Sequence, residues 1–264
     1  MVTSLLIKTD AWVIAVALFI AMLSSAIIGA RIASRKKERF LALGIDKKAA
    51  ETNFHTGLFF FLLAFTFGMS GTRYDNRRNV IVEEATIIET ALLRADLYSP
   101  EERLLFRKDF LEYVEARIDY FEARADFEKI TDAQERSHEV SKRLWMRATK
   151  LSHDPAYLQA TLLMCSSLNE MIDITTTRLA GENARVPESI LWMLFALACI
   201  NSFFSGYSST LKGTLDWLVE AGFCLLITLV VLFILDIDRP RRGLVTLDSV
   251  SQNIVDLRRN FISH

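Results

Sequence analysis

The chain has 264 residues, a formal net charge of −1, 51% apolar residues and a mean hydropathy of only +0.23. The near-zero charge excludes a global basic field of the kind that binds nucleic acid. Ten Gly and four Pro in this length favour long helices over a β-rich fold. The mean hides segregation: four stretches are nearly free of charge, and the middle of the chain is densely charged.

Residues Ala11–Ala30 carry no charge. At 1.5 Å per residue they match a hydrocarbon core of roughly 30 Å, so they are expected to form a retained first membrane span, not a cleaved leader. Ser24, Ser25, Ala26 and Gly29 form a small-residue stretch suited to close helix contact. A basic connector follows, with Arg31, Arg35, Lys36, Lys37, Arg39, Lys47 and Lys48. A second, short span is expected from about His55 to Thr72, rich in Phe59, Phe60, Phe61, Phe65 and Phe67. It breaks into the charged Arg73–Arg78, yet helix-forming sequence continues to Asp96 without Pro. One long helix is therefore predicted, leaving the bilayer at Arg73.

A helical soluble region is expected over 73–187. Pro100, Pro155 and Pro187 each follow a polar residue or precede helical patterning, the first-turn position where Pro is tolerated. Leu104, Leu111, Val114, Ile118, Phe121 and Ala125 form one apolar stripe, and Leu158, Leu162, Cys165, Leu168, Ile172, Thr175 and Leu179 another. A weaker helix over about 132–151 carries Val140, Leu144, Trp145 and Leu151. Besides Leu111, Ile118 and Phe121, the first of these helices carries Phe106, Phe110, Tyr113 and Tyr120; one bundle buries one stripe, so the second suggests a partner surface. The third span is expected over 189–205, a Gly/Ser/Thr connector over 206–214, and the fourth span over 218–235. A tail with Val250, Ile254, Leu257 and Phe261 suggests a short amphipathic helix. The expected division is 1–72, 73–187, 188–238 and 239–264: an all-α protein with four transmembrane helices and a soluble region inserted between spans two and three.

The four histidines show no metal-ligand spacing with one another or with the three cysteines, and no nucleotide-binding or nucleophile motif is present. No catalytic residue, metal or cofactor is assigned, and no enzyme activity is expected. Glu83, Glu84 and Glu89 read as solvated carboxylates on an exposed helix. Arg73, Arg77 and Glu84 share one helix face by steps of four and seven; they read either as juxtamembrane anchoring charge or as a charged ring beyond a pore. Asp236 and Asp238 are expected to pair with Arg239, Arg241 or Arg242. Asn201 is the intramembrane polar candidate, expected to face protein and hydrogen-bond across helices.

From Leu63 onward the text is similar to a known family. A-F-T-F-G-M-S at 64–70, R-Y-D-N-R-R at 73–78, E-E-A-T-I-I-E-T-A-L-L-R-A-D-L at 83–97, L-N-E-M-I-D at 168–173, T-R-L at 177–179, Gly206-Tyr207 and L-D-I-D-R-P-R-R-G at 235–243 resemble bacterial bestrophin-like membrane proteins. True bestrophins, pentameric anion channels, are distant relatives of that group. The resemblance implies a homo-oligomer, pentameric by resemblance only, with the second span lining a pore that passes ions. Phe61, Phe65 and Gly68, four and three apart, are then the pore-lining candidates. The alternative is a non-conducting interaction or sensor protein whose soluble helices bind a partner. No acidic cluster reads as the calcium clasp of animal bestrophins, and the 31–54 connector is unusually basic for an external loop. Positive charge beside the spans votes both ways on orientation. The resemblance places the chain in a bacterial inner membrane with the soluble region cytoplasmic.

Overall fold

The structure, a computed structural model, describes residues 9–42, 52–213, 216–239, 241, 243, 245 and 248–262. These form α1 (Ala11–Ala42), α2 (Thr52–Arg94), α3 (Pro100–Glu122), α4 (Phe127–Leu151), α5 (Leu158–Asn183), α6 (Glu188–Lys212), α7 (Trp217–Ile237), α8 (Asp248–Asp256) and α9 (Arg259–Ile262), with short 3-10 turns at Ala95–Leu97 and Pro155–Tyr157. No strand occurs among the described residues. Lys47, Lys48, Thr214, Arg242, His264 and the side chain of His55 lie outside the description.

The 43-residue α2 is the long helix predicted. Nothing in it removes a backbone donor, and Ala, Leu, Arg and Glu dominate its polar half. The helix starts marked by Pro are also present. Ser99 caps α3, its hydroxyl accepting from Glu102 N–H with Pro100 in the first turn. The Asp154 carboxylate accepts from Ala156 N–H at 2.9 Å ahead of α5.

The chain divides into two compact units. One holds residues up to Thr72 with Arg185–Arg239, and the other holds Arg73–Ala184 with the residues after Arg239. In the first unit α1 packs chiefly along α6 and next on α7. Met22, Phe59, Leu194, Ala198, Val231 and Ile234 form its core. The small-residue stretch is the tightest contact. A Cβ on Gly29 would stand 2.1 Å from the Phe203 carbonyl oxygen, and one on Gly206 would stand 2.2 Å from that of Ala26. Only glycine permits such backbone approach. This corrects the expected connector at 206–214: Gly206 is a contact residue within a helix that runs on to Lys212.

Three segments are long and apolar enough to cross a bilayer: Ala11–Lys36, a stretch within Pro155–Leu211, and Trp217–Ile237. The second draws on 189–205, which has no charged residue. Residues 57–72 of α2 are not among them.

In the second unit Ile81, Ile88 and Leu92 of α2 meet Phe106, Phe110, Tyr113, Leu144, Met164, Leu168 and Met171. The tail joins this core through Ile254, Leu257 and Phe261, and Arg258 pairs with Glu115. Two expectations about stripes are corrected here. On α3 the aromatic side is buried inside the single chain, with Phe106, Phe110, Tyr113 and Tyr120 at most 2% exposed, while Leu104 and Leu111 face outward. On α5 the buried face is Thr161, Met164, Leu168, Met171, Ile174 and Arg178. Of the expected stripe, Leu168 is buried and Cys165 half-buried, while Leu158, Leu162, Ile172 and Leu179 are exposed. Apolar residues surround both helices, so period alone left open which side packs.

Candidate functional site

The α2 phenylalanines separate by face. Phe59 is fully buried in the core of the first unit. Phe61 and Phe65 are 69% and 52% exposed, and their rings lie near-parallel with centroids 6.4 Å apart. Gly68 continues that exposed face, and a Cβ there would meet nothing within 4 Å. The three pore-lining candidates thus share a surface that the described residues of this chain leave uncovered. Thr56 on α2 donates to the Asn201 side-chain oxygen at 2.9 Å, and Asn201 is 5% exposed. This polar residue is buried and bonds from one helix to another.

Beyond Thr72, every third or fourth α2 residue turns inward: Arg77, Ile81, Glu84, Ile88 and Leu92 are buried. Glu84 corrects the solvated reading of the acidic group. Its side chain is completely buried, whereas Glu83 and Glu89 remain exposed. Arg117 on α3 donates to one carboxylate oxygen at 2.5 Å, and Arg178 on α5 to the other at 2.5 Å. Arg178 also reaches Glu182 at 3.2 Å, and Glu182 takes two bonds from Arg241 and one from the Tyr120 hydroxyl. The Tyr120 ring lies under three guanidinium groups, those of Arg117, Arg178 and Arg241, at 4.4–5.0 Å.

Burial alone would push the Glu84 carboxyl up; the two guanidinium groups outweigh it and hold the pKa at about 2. Burial likewise acts upward on Glu182, and Arg178 with Arg241 keeps it below the ordinary carboxylate range. Burial raises the Tyr113 hydroxyl, with Arg117 opposing.

Arg77 caps a helix end. It donates to the carbonyls of Gly181 at 3.0 Å and Ala184 at 2.6 Å, groups that the end of α5 leaves without helical partners. Arg73 is half-buried and lines a cavity of about 440 Å³ with Asn76, Arg77, Asn79, Arg178 and Glu182. The structure thus brings Arg77 and Glu84 onto the packed side of α2. Asp238 accepts from the Val186 N–H at 3.0 and 3.2 Å, just ahead of α6. Arg239 donates to the Thr9 carbonyl and Arg241 pairs with Glu182. Among the described residues, no group of three His, Cys, Asp or Glu is placed to hold a metal.

Sequence reasoning missed Arg117, Arg178, Glu182, Tyr120 and Arg241 as a cluster. Arg178 and Glu182, four apart on one helix, were the available local signal; Arg178 and Arg241 also stand within the quoted T-R-L and L-D-I-D-R-P-R-R-G motifs.

Comparison with known proteins agrees with this architecture. A bestrophin-like domain model matches residues 52–251. Among solved structures, the chain is similar to a bacterial bestrophin homolog from Klebsiella pneumoniae, with 13% identity and a TM-score of 0.64 over 93% of this chain and 98% of that one. A Trp-to-Ala variant of a bestrophin homolog from the same organism gives 11% identity and a TM-score of 0.69 over 95% and 98%. A structure described as a membrane protein variant gives 14% and 0.65 over 94% and 98%. At these identities the likeness establishes the fold. Among curated proteins nothing matches. With three apolar helices long enough to span a bilayer and a family model covering 52–251, this chain is an integral membrane protein that belongs to the bestrophin-like family.

Proposed function

We propose that the chain is the subunit of a homo-oligomeric ion channel in which α2 crosses the membrane as a fourth span and lines the pore. The observation that carries this reading is the face of Phe61, Phe65 and Gly68, exposed beside the fully buried Phe59 on the same helix. The described residues of one chain do not cover this aromatic row. Around a symmetry axis the row would repeat from each subunit as an apolar ring, which can gate ions by dewetting. Arg73 would stand about two turns beyond this ring, while Arg77 and Glu84 support α2 from its packed side. An anion as the transported ion and a fivefold assembly are carried over from the resemblance to bestrophins alone. An inner-membrane location with the 73–184 helices in the cytoplasm completes the reading, and no enzymatic step is assigned.

A second reading has its own support. Leu158, Leu162, Ile172 and Leu179 expose an apolar stripe on α5, outside the uncharged spans. A non-conducting interaction protein would use that stripe for a partner. Ion flux decides between the two. Purified protein in liposomes should conduct, and Phe61→Ala with Phe65→Ala should raise flux several-fold. Flux equal to empty liposomes for wild type and the folded variant, across ions, voltages and calcium levels, overturns the channel in favour of the interaction protein.

A further inference from the structure

The cavity between α2 and the end of α5 has a composition that neither the pore face nor the family match explains. Its volume of about 440 Å³ lies within the roughly 300–1,000 Å³ of small-molecule sites and far exceeds what one water needs. Three arginines line it, Arg73, Arg77 and Arg178, against two acidic residues, Glu83 and Glu182. Glu182 is already engaged by Arg178, Arg241 and Tyr120, and Glu83 is exposed. Arg178 is 4% exposed and divided between Glu84 and Glu182. Arg73 differs from the other two: its Nη1 is buried and has no hydrogen-bond partner among the described residues. An unmatched guanidinium donor away from water costs free energy, more than a neutral group does. Asn76 and Asn79 also line the cavity.

We infer that this cavity binds an oxyanion of the phosphate class, held by Arg73 with the Asn76 and Asn79 amides, as either a free phosphate group or the headgroup of an anionic lipid. A guanidinium presents parallel N–H donors that fit phosphate oxygens, so the unmatched Arg73 donor selects this chemistry. Arg77 and Arg178 also line the cavity, and their bonds to α5 and to Glu84 keep them fixed while the ligand exchanges. A cation is disfavoured by the guanidinium excess and by the prior engagement of Glu182. The inference does not depend on conduction, and its readout is binding.

The test uses the full-length protein in nanodiscs of zwitterionic phosphatidylcholine, titrated with inorganic phosphate at constant ionic strength and followed by calorimetry and thermal unfolding. A parallel arm reconstitutes the protein with phosphatidylglycerol and reads lipid retention by native mass measurement. Arg73→Gln should weaken the interaction at least about tenfold, Arg73→Lys should weaken it less, and ligand-free stability should not fall in Arg73→Gln, since the unmatched donor is removed. Saturable phosphate binding lost in Arg73→Gln supports a free oxyanion. Retention of phosphatidylglycerol alone, lost in the same variant, supports a headgroup. Binding in neither arm, or binding indifferent to Arg73, overturns the site. A change of oligomer mass in Arg73→Gln without ligand binding also overturns it, since a second copy would then fill the cavity.

Discussion

Glu84→Gln is the most informative perturbation of the helical unit built on Arg73–Ala184. The wild-type carboxylate is fully buried and bonded to Arg117 and Arg178, which are 3% and 4% exposed. A folded pKa near 2 against an ordinary 4.5 corresponds to about 3 kcal/mol of stability in neutral solution. That agrees with the roughly 3–5 kcal/mol lost when one partner of a buried ion pair is removed. The folded pKa is depressed, so this contribution is present above about pH 4.5 and is lost as pH falls toward 2. Glu84→Gln should therefore lower Tm by about 6–12 °C at pH 7, followed by circular dichroism in mild detergent. It should also flatten the acid sensitivity of wild type in that pH window. The order of two variants sharpens the test. Glu84→Gln leaves the Arg117 guanidinium buried without its carboxylate, whereas Arg117→Gln leaves Glu84 still bound to Arg178. Glu84→Gln should thus cost more. A Tm within about a degree of wild type for Glu84→Gln, or the reverse order, refutes the assignment of this cluster as the electrostatic centre of the unit.

Gly29→Ala or Gly206→Ala should destabilise the membrane unit by about 1–3 kcal/mol, because the added Cβ meets backbone at 2.1–2.2 Å; Gly181→Ala, with open space around it, serves as the control in the same thermal assay. If α5 carries a subunit interface, Leu162→Ser with Leu179→Ser should shift the mass of the detergent-solubilised protein toward smaller species, and an unchanged mass removes that stripe from the interface. Mutating the buried Phe59 to Ala should lower stability by about 3–5 kcal/mol without a selective rise in flux, the opposite pattern to Phe61 and Phe65. A periplasmic phosphatase fused after Leu151 should be inactive and one fused after Lys212 active; the reverse pattern inverts the orientation.

What the sequence determined by itself was local. Charge segregation separated apolar spans from a charged helical region, and the absence of Pro from 56–99 made α2 continuous. Ser99-Pro100 and Asp154-Pro155 marked helix starts because capping and proline geometry act within one turn. Tertiary structure decided which face of each helix packs. On α3 and α5 apolar side chains occur nearly all round, so Phe110 and Leu111, or Leu162 and Met164, were equivalent until neighbours arrived. It also made Gly206 a contact and not a break, because that depends on the Ala26 carbonyl 180 residues earlier. Glu84 is the clearest case. Its local sequence is that of an exposed acidic helix, and its burial depends on arginines 33 and 94 residues away that make a desolvated carboxylate tolerable.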